Sequence, residues 1–394
     1  MPAMRVLMIS DVFFPRINGV STSIDSFRHS LAELDIDVQV VAPHYPAPHV
    51  DDGKVSRVPA RRVLFDPEDR LMRSGALRRT LDAAAGHFDL VHVQTPFAAH
   101  YAGLGHARRH RLPCVATYHT HFEEYLHNYV PAVPKGMLRA LARRLARSQC
   151  NELDAVIVPS SAMQDTLAGY GVTAPMHRVP TGIPVGHFGD RRHRITSADF
   201  RTRFDIPRNG PMALFVGRAA HEKNIGFLLD ALPHALRQCP GLTLVVAGEG
   251  PALPALQRQA AILGVNARVR FVGYLDRRVE LPDCYAAADL FVFASRTETQ
   301  GLVLLEAMAA GLPVLAFAAL GTREIVEPRR GALPAPQDAE AFGHEMAALA
   351  NDPARRAIMA TEGRSFVEEW TTEACARRLA AVYRQIAAAS AARN

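Results

Sequence analysis

The sequence predicts an α/β protein built from two domains, each around a mostly parallel sheet, and three observations carry that prediction. Short apolar runs of strand type alternate with stretches of helical periodicity from residue 5 almost to the end. At 394 residues the chain is longer than one core usually supports. A polar stretch punctuated by glycine and proline interrupts the alternation near the middle. The expected division is a first domain over 1–185, a linker over 186–211, a second domain over 212–375 and a terminal helix over 376–394.

Composition narrows the function classes. Hydrophobic residues make up 48% of the chain, enough for sizeable cores, and the formal net charge is +6. That mild basic excess suits phosphorylated ligands or anionic lipid, and equally a solvated surface. The basic cluster at 191–194 is short and has no aromatic interleaving, so nucleic acid is not expected as a partner. Five scattered cysteines without a CxxC pair argue against a zinc or disulfide framework and fit a reducing compartment. The opening MPAMRVLMISDVFFP meets Asp11 at once and reads as a first strand, not a signal peptide. No uncharged apolar run reaches about 18 residues, so a spanning helix is not expected and a cytoplasmic location is.

In the first domain, strands are predicted at 5–10, 37–42, 90–95, 114–118, 155–159 and 177–181, with helices near 21–34 and 72–85. The loop DVFFPRINGVSTSI between the first strand and first helix lacks a GxGxxG fingerprint, but its Gly19 allows close approach of backbone to a phosphate. The strand at 114–118 ends in a crowd of polar groups: Tyr118, His119, His121, Glu123, Glu124, Tyr125 and His127. Strand carboxyl ends are where open α/β sheets hold ligands. His119 and His121 share a strand face, yet no third ligand has clear spacing, so no metal site is read there. PKGMLRALARRLARSQC follows, without an acid: Met137, Leu141 and Leu145 form one stripe, and Lys135, Arg139, Arg143 and Arg147 the opposing one. Such a helix lies on an anionic membrane or packs its apolar stripe on the domain's own core, and the residues alone leave both open.

The second domain opens with a strand at 213–216, then Gly217, Arg218, Lys223 and a helix from about 224. Two cations before a helix start oppose its dipole unless an anion lies between, and they suit a diphosphate. Further strands are predicted in LTLVVAGEGP and RVRFVGYL, the second ending at Gly273 and Tyr274. Next, FVFASRTETQGLVLLEAMAAGLPVLAF reads as strand, polar turn, helix over 302–310, a stop at Gly311 and Pro313, and strand. Its turn aims free helix-start amides at whatever sits over the strand end. Glu298 and Glu306 bracket that start eight residues apart, a pattern suited to a ligand with hydroxyls flanking phosphates, such as a nucleotide sugar.

TETQGLVLLEAMAAGLPV resembles the E-x7-E signature of family 4 retaining glycosyltransferases, whose fold is GT-B: two Rossmann-like lobes facing across a cleft. Arg218 and Lys223 match the family's GR-x4-K spacing, and matches spread from residue 5 to about 385. Asn18 replaces the first glycine of the family's GGV loop, and Leu320 stands where GTREIVEP would usually carry a glycine. The resemblance implies catalytic roles for His119, Glu298, Arg218 and Lys223. It implies that Glu306 takes the ribose hydroxyls, that amides over Gln300, Gly301, Leu302 and Val303 hold phosphate, that Gly19 lies near the diphosphate, and that Gly273 and Tyr274 face the base.

The YHT loop is most similar to that of bacterial diacylglycerol glucosyltransferases. By that likeness the donor is UDP-glucose and the acceptor a membrane lipid met by Tyr118, His121, Glu123 and Tyr125. The basic helix, through Lys135, Arg139, Arg143 and Arg147, docks on the inner face of the cytoplasmic membrane, and no cofactor or metal is required. Alternatives are a GDP-mannose-dependent or soluble-sugar transferase of the same family, a sugar-nucleotide epimerase of GT-B fold, and a non-catalytic nucleotide-sugar sensor.

Overall fold

The computed structural model describes residues 3–46, 51–62, 70–84, 88–119, 135–190 and 199–393. The chain divides into two units, Met1–Gly182 with Thr372–Asn394, and Ile183–Thr371.

The first unit carries β1 (Met4–Ile9), β2 (Ile36–Pro43), β3 (Val55–Val58), the short antiparallel pair β4 (Ala60–Arg62) and β5 (Arg70–Met72), then β6 (Leu90–Val93), β7 (Cys114–Thr117), β8 (Ala155–Val158) and β9 (Met176–Arg178). Seven of these form one sheet in the order β3-β2-β1-β6-β7-β8-β9. The pairs are parallel, as β1 with β2 and β6, and β7 with β8. β6 and β8 are buried along their whole length, which explains the apolar run of β8 and that of β6, broken by His92 alone. Helices α1 (Gly19–Ala32), α2 (Ser74–Ala83), α3 (Ala98–His110) and α4 (Lys135–Asn151) supply the crossovers. Asn18 caps α1 by accepting from the Ser21 amide at 2.9 Å, so the residue replacing a family glycine starts the helix. The C-terminal helix, Thr372–Ala391, buries Cys375, Leu379, Tyr383 and Ile386 in this unit's core.

The second unit has β10 (Met212–Val216), β11 (Thr243–Ala247), β12 (Val269–Gly273), β13 (Leu290–Phe293), β14 (Val314–Ala316) and β15 (Ala332–Pro334), in the order β12-β11-β10-β13-β14-β15. All neighbours are parallel. The order reverses between β10 and β13, which makes the crevice beyond their carboxyl ends the expected ligand position. Helices α5 (Ile225–Gln238), α6 (Leu253–Ile262), α7 (Glu280–Ala287) and α8 (Leu302–Ala309) connect the strands. The stretch read as a linker contributes to this unit's core, where Phe188, Phe200 and Ile206 are buried. Leu320 takes φ +47°, the left-handed conformation for which glycine is the ordinary choice. Among the described residues no helix is long and apolar enough to cross a membrane, and all five cysteines are free and buried.

Candidate active-site residues

In the second unit the loops leaving β10 and β13 are tied together at the switch point. Asn224 donates from Nδ2 to the Ala294 carbonyl at 3.1 Å, and the Ser295 hydroxyl donates to the Glu222 carbonyl at 3.3 Å. This seam brings together two residues 75 apart in sequence: the Lys223 ammonium lies 2.6 Å from the Glu298 carboxylate, both mostly buried. Arg218, immediately after β10, is exposed. Gly248 is required by close packing, since a Cβ there would sit 2.0 Å from the Gly217 carbonyl oxygen.

Gly301 begins α8 at φ +94°, turning the chain so that its first amides, Leu302 and Val303 among them, point out of the helix start. Gln300 is buried beside it. Glu306, one turn into α8, is fully buried, as expected from its apolar neighbours. Its carboxylate already has partners, however. Arg277 donates from Nη2 to Oε1, and the Tyr285 hydroxyl donates to Oε2 at 3.0 Å. Burial and the adjacent carboxylate push the Tyr285 phenol well above its ordinary range, so it stays a donor. Arg277 is the more open partner, 27% exposed against 0% for Glu306, and its guanidinium lies over the Phe188 ring at 5.6 Å. Sequence reasoning missed this arginine; the only signal was a pair of arginines in a polar turn after β12. Gly273 closes β12 at φ +73°, and Tyr274 beside it is 53% exposed.

The first unit has a matching cluster at its own switch point, between β1 and β6. Asp11, just after β1, accepts from the Thr95 hydroxyl at 2.7 Å and from the Ala99 amide at 3.1 Å. Burial outweighs these bonds and lifts its carboxyl to about 6. His92, inside β6, meets Tyr383 at 2.5 Å and Thr117 at 2.7 Å, and burial pushes it down to about 3. His119 meets the Gln94 carboxamide oxygen at 2.7 Å through Nε2, and burial lowers it to about 4. Both imidazoles are therefore neutral at pH 7. A small cavity of about 40 Å³ is lined by Gln94, Thr95, Thr117, Tyr118, His119 and Gln149. Asp11, His92 and Gln94 were not singled out from the sequence, although polar residues inside the buried run 90–95 were a visible signal. Gly19 is the exposed first residue of α1. His121, Glu123 and Tyr125 lie outside the described residues.

Helix α4 turns a different face inward from the one its sequence stripe marks. Leu138, Ala142, Ala146 and Cys150 face the core, while Met137, Leu141 and Leu145 are 60%, 61% and 47% exposed. Arg143, Arg144 and Arg147 are exposed too; the side chains of Lys135 and Arg139 lie outside the described ones. The amphipathic stripe recognised in the sequence is thus the outward one, and small residues displaced by one position make the packing face.

The model of "Glycosyltransferase Family 4" matches residues 17–187, and that of "Glycosyl transferases group 1" matches residues 197–366. An alpha-monoglucosyldiacylglycerol synthase of Streptococcus pneumoniae is 32% identical over 320 residues, spanning 79% of this chain and 71% of that protein. A GDP-mannose-dependent alpha-mannosyltransferase of Mycobacterium tuberculosis is 31% identical over 341 residues, 84% of each chain. Among solved structures, sucrose-phosphate synthase from Thermosynechococcus elongatus superposes with a TM-score of 0.77 at 24% identity, covering 98% of this chain and 100% of that one. Anabaena HepE in complex with UDP and glucose gives 0.76 at 19%, covering 97% and 100%. Two parallel-sheet Rossmann-like lobes of this kind make up the GT-B fold. The chain belongs to glycosyltransferase family 4, and is a nucleotide-sugar-dependent transferase.

Proposed function

We propose that the protein is a retaining hexosyltransferase that moves glucose from UDP-glucose to a membrane lipid such as diacylglycerol. The observation that carries the lipid half is the outward stripe of Met137, Leu141 and Leu145 beside Arg143, Arg144 and Arg147. Apolar side chains left in water beside clustered arginines gain free energy against an anionic, partly apolar surface, with each basic residue contributing roughly 1 kcal/mol there. The protein then works peripherally on the inner face of the cytoplasmic membrane.

For the transfer, Arg218, Lys223 and the start of α8 stabilise the departing diphosphate, which is the largest electrostatic demand of the reaction. No side chain in the described clusters stands out as a nucleophile for a double displacement. Same-face attack, with the leaving phosphate as base, is the step these residues support. Glu298 orients the hexose hydroxyls and holds Lys223 in place; Glu306 takes the ribose hydroxyls; the neutral His119, fixed by Gln94, hydrogen-bonds the sugar. With that cationic set no metal ion is needed, and EDTA should leave the rate unchanged. The mannosyltransferase relative favours a second reading, in which GDP-mannose is the donor. Purified protein, anionic liposomes containing diacylglycerol and radiolabelled UDP- and GDP-sugars test both. Labelled lipid from UDP-glucose supports the first reading, labelled lipid from GDP-mannose the second, and no labelled lipid from any donor removes the lipid acceptor.

A further inference from the structure

Outside the transfer machinery, α2 and α3 bring together a set of side chains with metal-ligand chemistry. One ligand atom each from Asp82, His106 and His110 lies within 4.8 Å of the others. His106 and His110 are one helical turn apart on α3, with ring centroids 4.4 Å apart and planes tilted by 41°. Asp82 comes from the last turn of α2. The geometry points to a binding site for a borderline divalent transition ion, Zn2+ or Ni2+, held by Asp82, His106 and His110 and joining α2 to α3.

A second observation is independent of that convergence. His106 is only 2% exposed, and its Nδ1 is buried with no hydrogen-bond partner. A buried ring nitrogen left unpaired is unfavourable, and a metal ion bound through Nδ1 would satisfy it. Two imidazoles and a carboxylate occupy three corners of a tetrahedron and leave the fourth to water, and that donor set favours Zn2+ or Ni2+ over Mg2+ or Ca2+. Bonds of about 2.0–2.1 Å place ligand atoms about 3.4 Å apart, so the trio has to close by at most about 1.4 Å from the 4.8 Å that bounds it. Asp82 and His110 are both exposed and can rotate to do so. One group opposes the ion: Arg109 Nη2 lies 3.2 Å from Asp82 Oδ1 and competes for the carboxylate.

The test uses the full-length protein, stripped with EDTA, desalted and titrated with Zn2+ by calorimetry at pH 7.5, with Co2+ absorption as a second readout. One equivalent should bind in the micromolar range or tighter, with a tetrahedral Co2+ spectrum and a rise in Tm, because the ion binds only the folded helices. His110→Ala and Asp82→Asn, both at exposed positions, should each weaken binding roughly tenfold or more. Arg109→Ala should tighten it several-fold by freeing Asp82. The chain has 17 histidines, so binding unchanged in both His110→Ala and Asp82→Asn would place the ion elsewhere and overturn the site. Failure of Zn2+ to bind below millimolar concentration would do the same.

Discussion

The two lobes share a sheet plan and handle charge in opposite ways. At the switch point of the first unit, Asp11, His92, Gln94, Thr95, Thr117 and His119 are tied by hydrogen bonds between neighbours, and burial drives the titratable members toward their neutral forms. At that of the second, the polar groups are ion pairs, Lys223 with Glu298 and Arg277 with Glu306. The difference teaches which partner each loop set is suited to. A neutral, fixed network discriminates hydroxyls, whereas paired full charges are the groups that an incoming diphosphate and ribose can re-partner.

The largest expected effect breaks the ionic side. Arg277→Met leaves the buried Glu306 carboxylate without its cation and should lower stability by about 3–5 kcal/mol in denaturant titrations. Adding Glu306→Gln to it should recover much of that loss; a recovery near zero would show that the two do not act as a pair. Lys223→Ala should slow turnover roughly 10²–10³-fold with a modest change in fold stability, measured as release of nucleoside diphosphate. A near-normal rate would remove Lys223 from the leaving-group site.

The neutral side is sharpened by pH. His92 and His119 have folded-state values below the ordinary histidine range, so the unfolded chain takes up protons first and stability falls as pH drops below about 6.5. Asp11 acts in the opposite sense. Its folded value of about 6 is above the usual carboxyl, so the folded form binds the extra proton between about pH 4 and 6 and gains relative stability on acidification. Asp11→Asn should therefore make acid destabilisation steeper, by up to about 3 kcal/mol across that window, in stability measurements at pH 4, 5 and 6. An unchanged slope would mean that Asp11 is ionised in the folded protein throughout. The smallest effect concerns the outward face of α4. Leu141→Asp should reduce co-sedimentation with anionic liposomes several-fold and leave hydrolysis of the nucleotide sugar unaltered.

Much of the fold was legible because it rests on local pattern. The buried runs in β6, β8, β10 and β13 are continuous in sequence, and Gly301 and Pro313 mark the limits of α8 by backbone preference alone. The short strands β3, β4, β5 and β15 were missed because they are partly exposed and carry no continuous apolar run to separate a strand from a loop. The segment 186–211 read as a linker because it is polar and rich in turn residues, yet Phe188, Phe200 and Ile206 anchor it in the second core. On α4 the sequence pattern identified a real stripe and could not say which way it faced, since Leu138, Ala142 and Ala146 make an equally narrow second one.

By itself the sequence determined the strand–helix alternation, the two acids eight residues apart and the cations after β10, because each is set by spacing along one or two adjacent elements. Tertiary structure alone decided the partners: Arg277 on Glu306, and His92 against Tyr383, 291 residues away. A buried charge or ring nitrogen binds whatever donor or acceptor the packed chain brings within about 3 Å, and no local pattern encodes that neighbour.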